Sequence, residues 1–416
     1  MDLPPWLACI SEDARPPPKL FAWTSQNLVQ HDSRSQGVRG NQSPTNDPEG
    51  RIHILGIGNI GILLATSLSQ LANGPPITLV VHKKELLEQW HRQPGLQITR
   101  SDNVKRLSDF DVEWWTDEEP DTGPKRQVAD GAMIRNLLVS TKASAALPEV
   151  DRVRRYLDSS STVAFAQNGM CKLWQPYGAS YISVRYPTGN HPNWLACVTT
   201  HGVTSLGRFR SEHVAIADLK IGPVLPSQHN TAHSYLPRML CQAPFLDGQE
   251  VISRELWVLQ LEKLVVNSII NPLTSILDCK NGRLFETPDG PLMHVVESLI
   301  QEASEVLQAL VRHPFTDAMM TSPSDRRDLL ERFSAHRLRL MLLDIGNKVR
   351  NNTSSMLQDY RAGKQTEIQD FNGWLVDMAS FLGVRASTTR HEALVRIVES
   401  GAQMEEGHLI KHLQEA

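Results

Sequence analysis

Lys263, Asn267 and Asn271 stand four residues apart in the stretch KLVVNSIINPLTSILDCKNG, which runs from Lys263 to Gly282. On a helix that spacing stacks three polar side chains on one face. Leu264, Val265, Val266, Ile269 and Ile270 fill the positions between them, so most of the helix's surroundings are expected to be apolar. Polar groups in such a place need partners, because an unpaired buried one costs about 1–3 kcal/mol. Burial lowers a lysine's ordinary pKa of about 10.4 toward the range in which its ammonium can give up a proton. An asparagine amide both donates and accepts, so Asn267 and Asn271 can orient a hydroxyl-bearing ligand. The plainer alternative is a lysine snorkelling at a helix end, with two asparagines capping neighbours. The rest of the chain has to choose between the two.

A second constellation lies far upstream. The strand-like run RIHIL at Arg51–Leu55 is followed by Gly56-Ile57-Gly58-Asn59-Ile60-Gly61 and then by the helical stretch ILLATSLSQLA. A G-x-G-x-x-G between a strand and a helix is the fingerprint of a dinucleotide site. Its first glycine allows the tight turn, its second lets a pyrophosphate approach the backbone, and its third lets helix and strand pack closely. The helix N-terminus then presents free N–H groups to the phosphates. About 20 residues on, the strand ITLVV (Ile77–Val81) runs into His82-Lys83-Lys84 rather than into the acid that would hold a ribose 2′-hydroxyl. Cations there suit a 2′-phosphate, so NADPH/NADP+ is expected over NADH, against the alternative of a solvated basic turn.

Further short apolar strands are expected at Asn136–Thr141, ending in Lys142, and at Thr162–Ala166, ending in Gln167-Asn168-Gly169-Met170. Strands alternating with helices argue a parallel sheet, whose ligands lie beyond the carboxyl ends of the strands. Lys142 and Asn168 both sit there, and a nicotinamide-side role is set against simple turn formation. Gly95 to Gly131 is polar and acid-rich and is expected to hold a hairpin and a long loop, its Asp117-Glu118-Glu119 cluster being a solvated surface. Residues 181–224 read as β-rich, with His201 structural. From Val251 onward the pattern is helical, with Val295 to Val311 keeping a helical period and a last helix around His391–Glu399.

With 416 residues the chain can form two or three domains. Its 40% apolar and 21% charged content is that of a soluble protein, and a formal net charge of −4 gives no basic footprint for nucleic acid. No apolar run approaches the ~20 residues of a membrane span. Five scattered cysteines without a CxxC pair read as reduced thiols in a cytosol-like compartment, and no ligand cluster has metal spacing. Residues 1–50 read as a disordered tail: Pro4, Pro5 and Pro16–Pro18 break helices, and Ser33 to Gly50 is polar without period. Asp2, Glu12 and Asp13 speak against a transit peptide, so the cytosol is the default location and a mitochondrial address the lesser alternative.

Taken together, GIGNIG, Lys142, the QNGM at 167–170, the KLVVNSIINPLT block and the SSMLQD…TEI…NG block that starts at Ser354 are similar, in that order, to the motifs of the ketopantoate reductase (2-dehydropantoate 2-reductase) family over residues 51–400. The resemblance implies an α/β Rossmann-type dinucleotide-binding domain followed by an all-α domain, with NADPH and substrate in the cleft between them. The expected boundaries are a tail at 1–50, the NADP-binding domain at 51–227, a linker at 228–250 and the helical domain at 251–416.

Carried over position by position, the resemblance places the catalytic lysine on Lys263, substrate-binding asparagines on Asn267 and Asn271, a substrate-side serine on Ser355 and a glutamate on Glu367. It places the nicotinamide-side lysine and asparagine on Lys142 and Asn168. It implies an oxidoreductase that reduces a 2-oxo acid, with Lys263 protonating the carbonyl oxygen as hydride arrives, and with ketopantoate as the substrate. Glu367 either binds a substrate hydroxyl or positions Lys263. The tail, the polar segment near 100–130 and Ser387-Thr388-Thr389, where the family often has proline, depart from the pattern. The competing readings are a β-hydroxyacid dehydrogenase and a non-catalytic NADP(H)-binding sensor that acts through a protein partner. The apolar helices of the second half could serve a homodimer.

Overall fold

Short runs of Ile, Leu and Val separated by amphipathic helices form a largely parallel sheet in the computed structural model, which describes residues 4–28, 49–225, 235–320, 322–385 and 388–415. The strands are β1 (Phe21–Trp23), β2 (Ile52–Leu55), β3 (Ile77–Val81), β4 (Leu96–Arg100), β5 (Asn103–Leu107), β6 (Asp111–Thr116), β7 (Asn136–Val139), β8 (Thr162–Phe165), β9 (Asn193–Thr199), β10 (Gly202–Gly207), β11 (Arg210–Ala215), β12 (Leu219–Pro223) and β13 (Gly248–Glu250). Nine of them make one sheet in the order β1-β6-β3-β2-β7-β8-β9-β12-β13. The run from β6 to β9 is parallel throughout. Every residue of β2, β3, β7 and β8 is buried, as expected of strands covered on both faces. The strand order reverses beside β2, so the crevice of a doubly wound sheet opens where the glycine-rich loop leaves that strand. This is a Rossmann-type α/β arrangement, and an all-α second half follows it.

The helices accompanying the sheet are α1 (Pro5–Glu12), α2 (Asn59–Leu68), α3 (Lys84–Arg92), α4 (Ala143–Arg152), α5 (Tyr177–Arg185) and α6 (Tyr235–Gln242). Those of the second half are α7 (Ser253–Ile276), α8 (Pro291–Arg312), α9 (Pro323–Arg332), α10 (Ala335–Lys348), α11 (Ser355–Arg361), α12 (Trp374–Phe381), α13 (Thr389–Glu399) and α14 (Glu406–Gln414). The chain divides into a sheet unit, Trp6–Gln167 with Cys171–Leu256, and a helical unit that joins Trp257–Ala416 to Asn168–Met170 and to Met1–Pro5. The core of the helical unit is built on α8, whose Val295, Val296, Leu299, Ile300, Ala303, Val306 and Leu307 are all buried. The expected hairpin between Gly95 and Gly131 is β4–β5, which joins β10 and β11 in a second sheet of order β10-β11-β4-β5.

Three expectations fail in informative ways. The tail at 1–50 includes residues 29–48, which lie outside the described residues, but residues 6–28 fold with the sheet unit. Pro5 opens α1, a position where its missing N–H costs nothing. β1 pairs antiparallel with β6, Phe21 opposite Thr116 and Trp23 opposite Trp114. The prolines between them have no N–H, and arginines donate to carbonyls along the segment: Arg185 Nη1 reaches Asp13 O at 2.6 Å, Arg154 Nη2 reaches Arg15 O at 2.9 Å and Arg155 Nη1 reaches Pro17 O at 3.5 Å. Secondly, YISVRY at 181–186, expected as strand, lies largely in α5. One helical turn separates Tyr181 from Arg185, and both grip the buried Asp151 carboxylate, at 3.2 and 2.9 Å. Thirdly, the expected linker at 228–250 lies outside the described residues up to 234 but then forms α6 and β13. Leu236, Met239 and Leu240 in α6 have helical spacing and are buried, and β13 adds a parallel strand beside β12.

The anchoring of residues 6–28 is open to measurement at Tyr156. Its Oη accepts from Leu20 N at 2.9 Å and donates to Leu20 O at 3.1 Å, all buried. Tyr156→Phe is expected to leave Leu20 N without a partner, while Leu20 O keeps Val128 N at 3.1 Å, and to cost about 1–3 kcal/mol in denaturant unfolding. A loss within a few tenths of a kcal/mol would show that the N-terminal segment is not tied down there.

Candidate active site

Lys263 occupies the second turn of α7's course through the helical unit, and its ammonium donates to Asn168 Oδ1 at 2.9 Å. Asn168 Nδ2 in turn donates to Glu367 Oε2 at 3.3 Å. The two bonds together fix which way the amide points, oxygen toward the cation and nitrogen toward the anion. Asn168 is held at the start of a turn in which Gly169 takes φ +76°, a conformation that side chains other than glycine's resist. Glu367 is buried and stands one residue before the helical run that leads into α12.

The Lys263 side chain keeps a small opening to solvent, yet the protein around it is dense enough for burial to push its pKa down to about 8, with the Glu367 carboxylate pulling the other way. One turn further, Asn267 is half-buried. One turn beyond that, Asn271 is buried and its Nδ2 makes no hydrogen bond, which leaves a donor without an acceptor on the lysine's face of the helix. The structure therefore gathers Lys263, Asn168 and Glu367 into one hydrogen-bonded set and carries Asn267 and Asn271 on from it along α7.

Ser355, expected on the substrate side, is placed differently. It is the first residue of α11 and is exposed, whereas its neighbour Ser354 is buried, N-caps that helix through Leu357 N and exchanges a 2.8 Å hydrogen bond with Thr274 of α7. The sequence signal for Ser354 is that Thr274 follows Asn271 by three residues and so extends the same polar face.

In the sheet unit the glycine-rich loop leaves β2 with Gly56 at φ +96°. A Cβ on Gly61 would lie 2.2 Å from Gly56 O, so that glycine is required for the helix to pack on the loop. A Cβ on Gly58 would meet nothing within 4 Å, so the middle of the loop faces open space. Gly58 also N-caps α2 without a side-chain cap, leaving N–H groups of the first turn available to an anion. That arrangement fits a dinucleotide pyrophosphate. Asn59 and Ile60 open α2, but the Asn59 side chain is taken by Ser211 Oγ at 2.9 Å and Val203 O at 3.4 Å, so toward a phosphate it offers only its backbone.

His82 and Lys83 are exposed beyond β3, with Lys83 at the N-cap of α3. Lys84 differs from both: its ammonium lies 4.8 Å from the centre of the Trp23 ring, a cation–π contact with β1 that sequence spacing does not disclose. Lys142 is half-buried at the N-cap of α4. His201, expected to be structural, donates from Nε2 to Leu246 O at 3.0 Å, and its Nδ1 meets His213 Nε2 at 3.1 Å in the interior of the sheet unit.

Comparison with known proteins adds an independent line. The family model described as Ketopantoate reductase PanE/ApbA matches residues 52–226, and its companion, Ketopantoate reductase PanE/ApbA C terminal, matches residues 255–401. A ketoisovalerate reductase from Gibberella fujikuroi is 43% identical over 431 aligned residues, covering 95% of each chain. A ketoisovalerate reductase from Beauveria bassiana is 40% identical, covering 99% of this chain and 98% of its own. A probable 2-dehydropantoate 2-reductase from Schizosaccharomyces pombe is 28% identical over 82% of this chain and 93% of its own. Among solved structures, the probable 2-dehydropantoate 2-reductase of Bacillus subtilis superimposes with a TM-score of 0.58 at 20% identity, covering 84% of this chain and 99% of that one. The ternary structure of D-mandelate dehydrogenase with NADH and anilino(oxo)acetate does so with a TM-score of 0.60 at 17% identity, covering 84% and 98%. At such identities the structural likeness establishes the fold.

The lowered lysine pKa has a consequence for stability. In the unfolded chain a lysine holds its proton to about pH 10.4, whereas Lys263 in the folded protein releases it near 8. Between those values the unfolded state binds more protons, so this group adds stability as pH rises from about 8 to about 10.4. Thermal melts of the native protein and Lys263→Met across that window are expected to diverge in favour of the native protein as pH rises. Parallel curves would mean that the ammonium is not buried as described.

Proposed function

The chain belongs to the ketopantoate reductase family, and we propose that it reduces a branched 2-oxo acid to the 2-hydroxy acid, with ketoisovalerate preferred to ketopantoate and NADPH preferred to NADH. The hydrogen-bonded set Lys263–Asn168–Glu367 carries the chemical part of this reading. The substrate preference departs from the ketopantoate assignment drawn from motifs alone. It is supported by relatives of 40–43% identity over almost the full chain that are named ketoisovalerate reductases, while relatives named for ketopantoate stand at 25–29%.

Bound reduced nicotinamide supplies the hydride. Gly58 and the first turn of α2 would hold its pyrophosphate, with Lys83 and His82 toward the ribose 2′-phosphate and Lys142 as a further cation of the sheet unit. Negative charge develops on the substrate's carbonyl oxygen as the carbon is reduced, and a positioned acid must meet it. Lys263 is that acid. A pKa of about 8 keeps its ammonium protonated at neutral pH and still willing to release a proton. Asn168 holds the ammonium by one of its hydrogens. Glu367 acts on Lys263 through that amide and through its charge, which favours the protonated lysine. The unpaired Nδ2 of Asn271 offers a donor to a substrate oxygen.

The two candidate acids differ by one hydroxymethyl group. A pocket built to hydrogen-bond that hydroxyl discriminates strongly against a substrate without it, whereas an apolar pocket discriminates weakly. Following NADPH oxidation with both acids tests the choice: kcat/KM is expected to be higher for ketoisovalerate, and a clear preference for ketopantoate would overturn it. Lys263→Ala is expected to lower kcat about 10²–10⁴-fold with NADPH affinity unchanged, and near-normal turnover would remove the lysine from the mechanism. Lys83→Glu should shift preference toward NADH, and a fixed NADPH/NADH ratio would exclude a 2′-phosphate role.

A further inference from the structure

α7 runs through Pro272. Proline has no N–H, so it cannot bond the carbonyl four residues back, that of Ser268. That carbonyl lies between Asn267 and Asn271, inside the stretch that carries the site. Its donor comes from outside the helix: Asn372 Nδ2 reaches Ser268 O at 2.9 Å. The second N–H of the same amide goes to His391 Nδ1, also at 2.9 Å, and His391 Nε2 donates to Leu299 O at 3.1 Å. The imidazole must be neutral to accept at Nδ1, and burial lowers its pKa accordingly. Asn372 and His391 are both fully buried.

Asn372 belongs to a π-helical turn, Gln369–Gly373, which begins two residues after Glu367. Single π turns within helices recur at functional sites. The other side of this turn meets the loop that bears Asn168. The Asp370 carbonyl lies so close under Gly169 that a Cβ there would come within 2.9 Å of it. One turn of backbone is thus in contact with both elements that meet in the Lys263–Asn168 hydrogen bond, and it leads directly from Glu367.

We propose that Asn372 is the positioning residue of the site: it replaces the N–H that Pro272 withholds, docks the π turn on α7, and thereby sets Asn168 and Glu367 against Lys263. This rests on Lys263 being the proton donor. The residue acts through others and touches no reacting atom. Its loss displaces the acid rather than removing it, and a displacement of about 1 Å costs on the order of 10²-fold in rate.

The experiment compares the full-length enzyme with Asn372→Ala, Pro272→Ala, the double variant, Lys263→Ala, and Leu409→Ala as a core variant of α14 remote from the turn. Asn372→Ala is expected to lower kcat about 10–100-fold with the KM for NADPH unchanged, while Leu409→Ala keeps kcat at a comparable loss of Tm. Because Pro272→Ala restores a backbone N–H to the Ser268 carbonyl, the Tm loss caused by Asn372→Ala should be smaller in that background. Additive Tm losses, or an equal fall in kcat in Leu409→Ala, would overturn the proposal. Should Asn372→Ala fail to fold, Gly169→Ala presses on the same turn from the loop and should give the same kcat signature, and native kcat there overturns the proposal equally. Native kcat in Asn372→Ala with Lys263→Ala inactive refutes the positioning role alone. Turnover retained in Lys263→Ala refutes the underlying reading, and the proposal with it.

Discussion

An ammonium group on an apolar helix is the constraint around which the helical unit is arranged. Left in low-dielectric surroundings without an acceptor, it would lose its proton or unfold its neighbourhood. Asn168 Oδ1 at 2.9 Å answers part of that demand, and the Glu367 carboxylate adds a field that favours the charge. Burial still outweighs the attraction, so the pKa settles near 8 rather than above its ordinary value. A neutral amide between cation and anion suits that balance. It orders the ammonium without supplying the full charge that would lock the proton in place.

The sheet unit meets a different demand with equally few side chains. Gly61 is needed because the loop backbone comes within 2.2 Å of where its Cβ would be, whereas Gly58 borders open space. Two glycines of one motif therefore have opposite surroundings, close packing and open space. The basic residues beyond β3 divide in a similar way. Lys83 and His82 face solvent, while Lys84 rests on Trp23 of a strand that pairs at the edge of the sheet. Residues before Arg51 thus reach the electrostatics of the loop that follows β3.

Pattern made much of this legible. Buried β-strands, the glycine loop and the four-residue spacing on α7 are local regularities, and local regularities are what periodicity detects. The parts that escaped depend on partners distant in sequence. Pro16–Pro18 look like a tail until arginines 138 or more residues away are seen to bind the carbonyls around them. YISVRY alternates like a strand, but Asp151 needs Tyr181 and Arg185 on one side, and only a helix provides that. Asn168 follows a strand of the sheet unit and looks like one of its turn residues. Its hydrogen bonds place it with Lys263 and Glu367, separated from it by 95 and 199 residues.

The rigidity of the site's surroundings can be followed one layer further out. Glu302 on α8 is buried, and its carboxylate accepts from the backbone N–H groups of Arg390 and His391 at 3.1–3.2 Å and from Arg390 Nη1 at 3.1 Å. A carboxylate at a helix start satisfies orphan donors and complements the helix dipole, so Glu302 caps α13 from a neighbouring helix. That cap fixes where His391 begins, and His391 can then take its proton on Nε2 and leave Nδ1 to Asn372. Both N–H groups of Asn372 and both nitrogens of His391 are thereby paired, while Asn372 Oδ1 makes no hydrogen bond. Ser268, Asn372, His391 and Glu302 together turn the gap made by one proline into a fixed seat for the turn that follows Glu367.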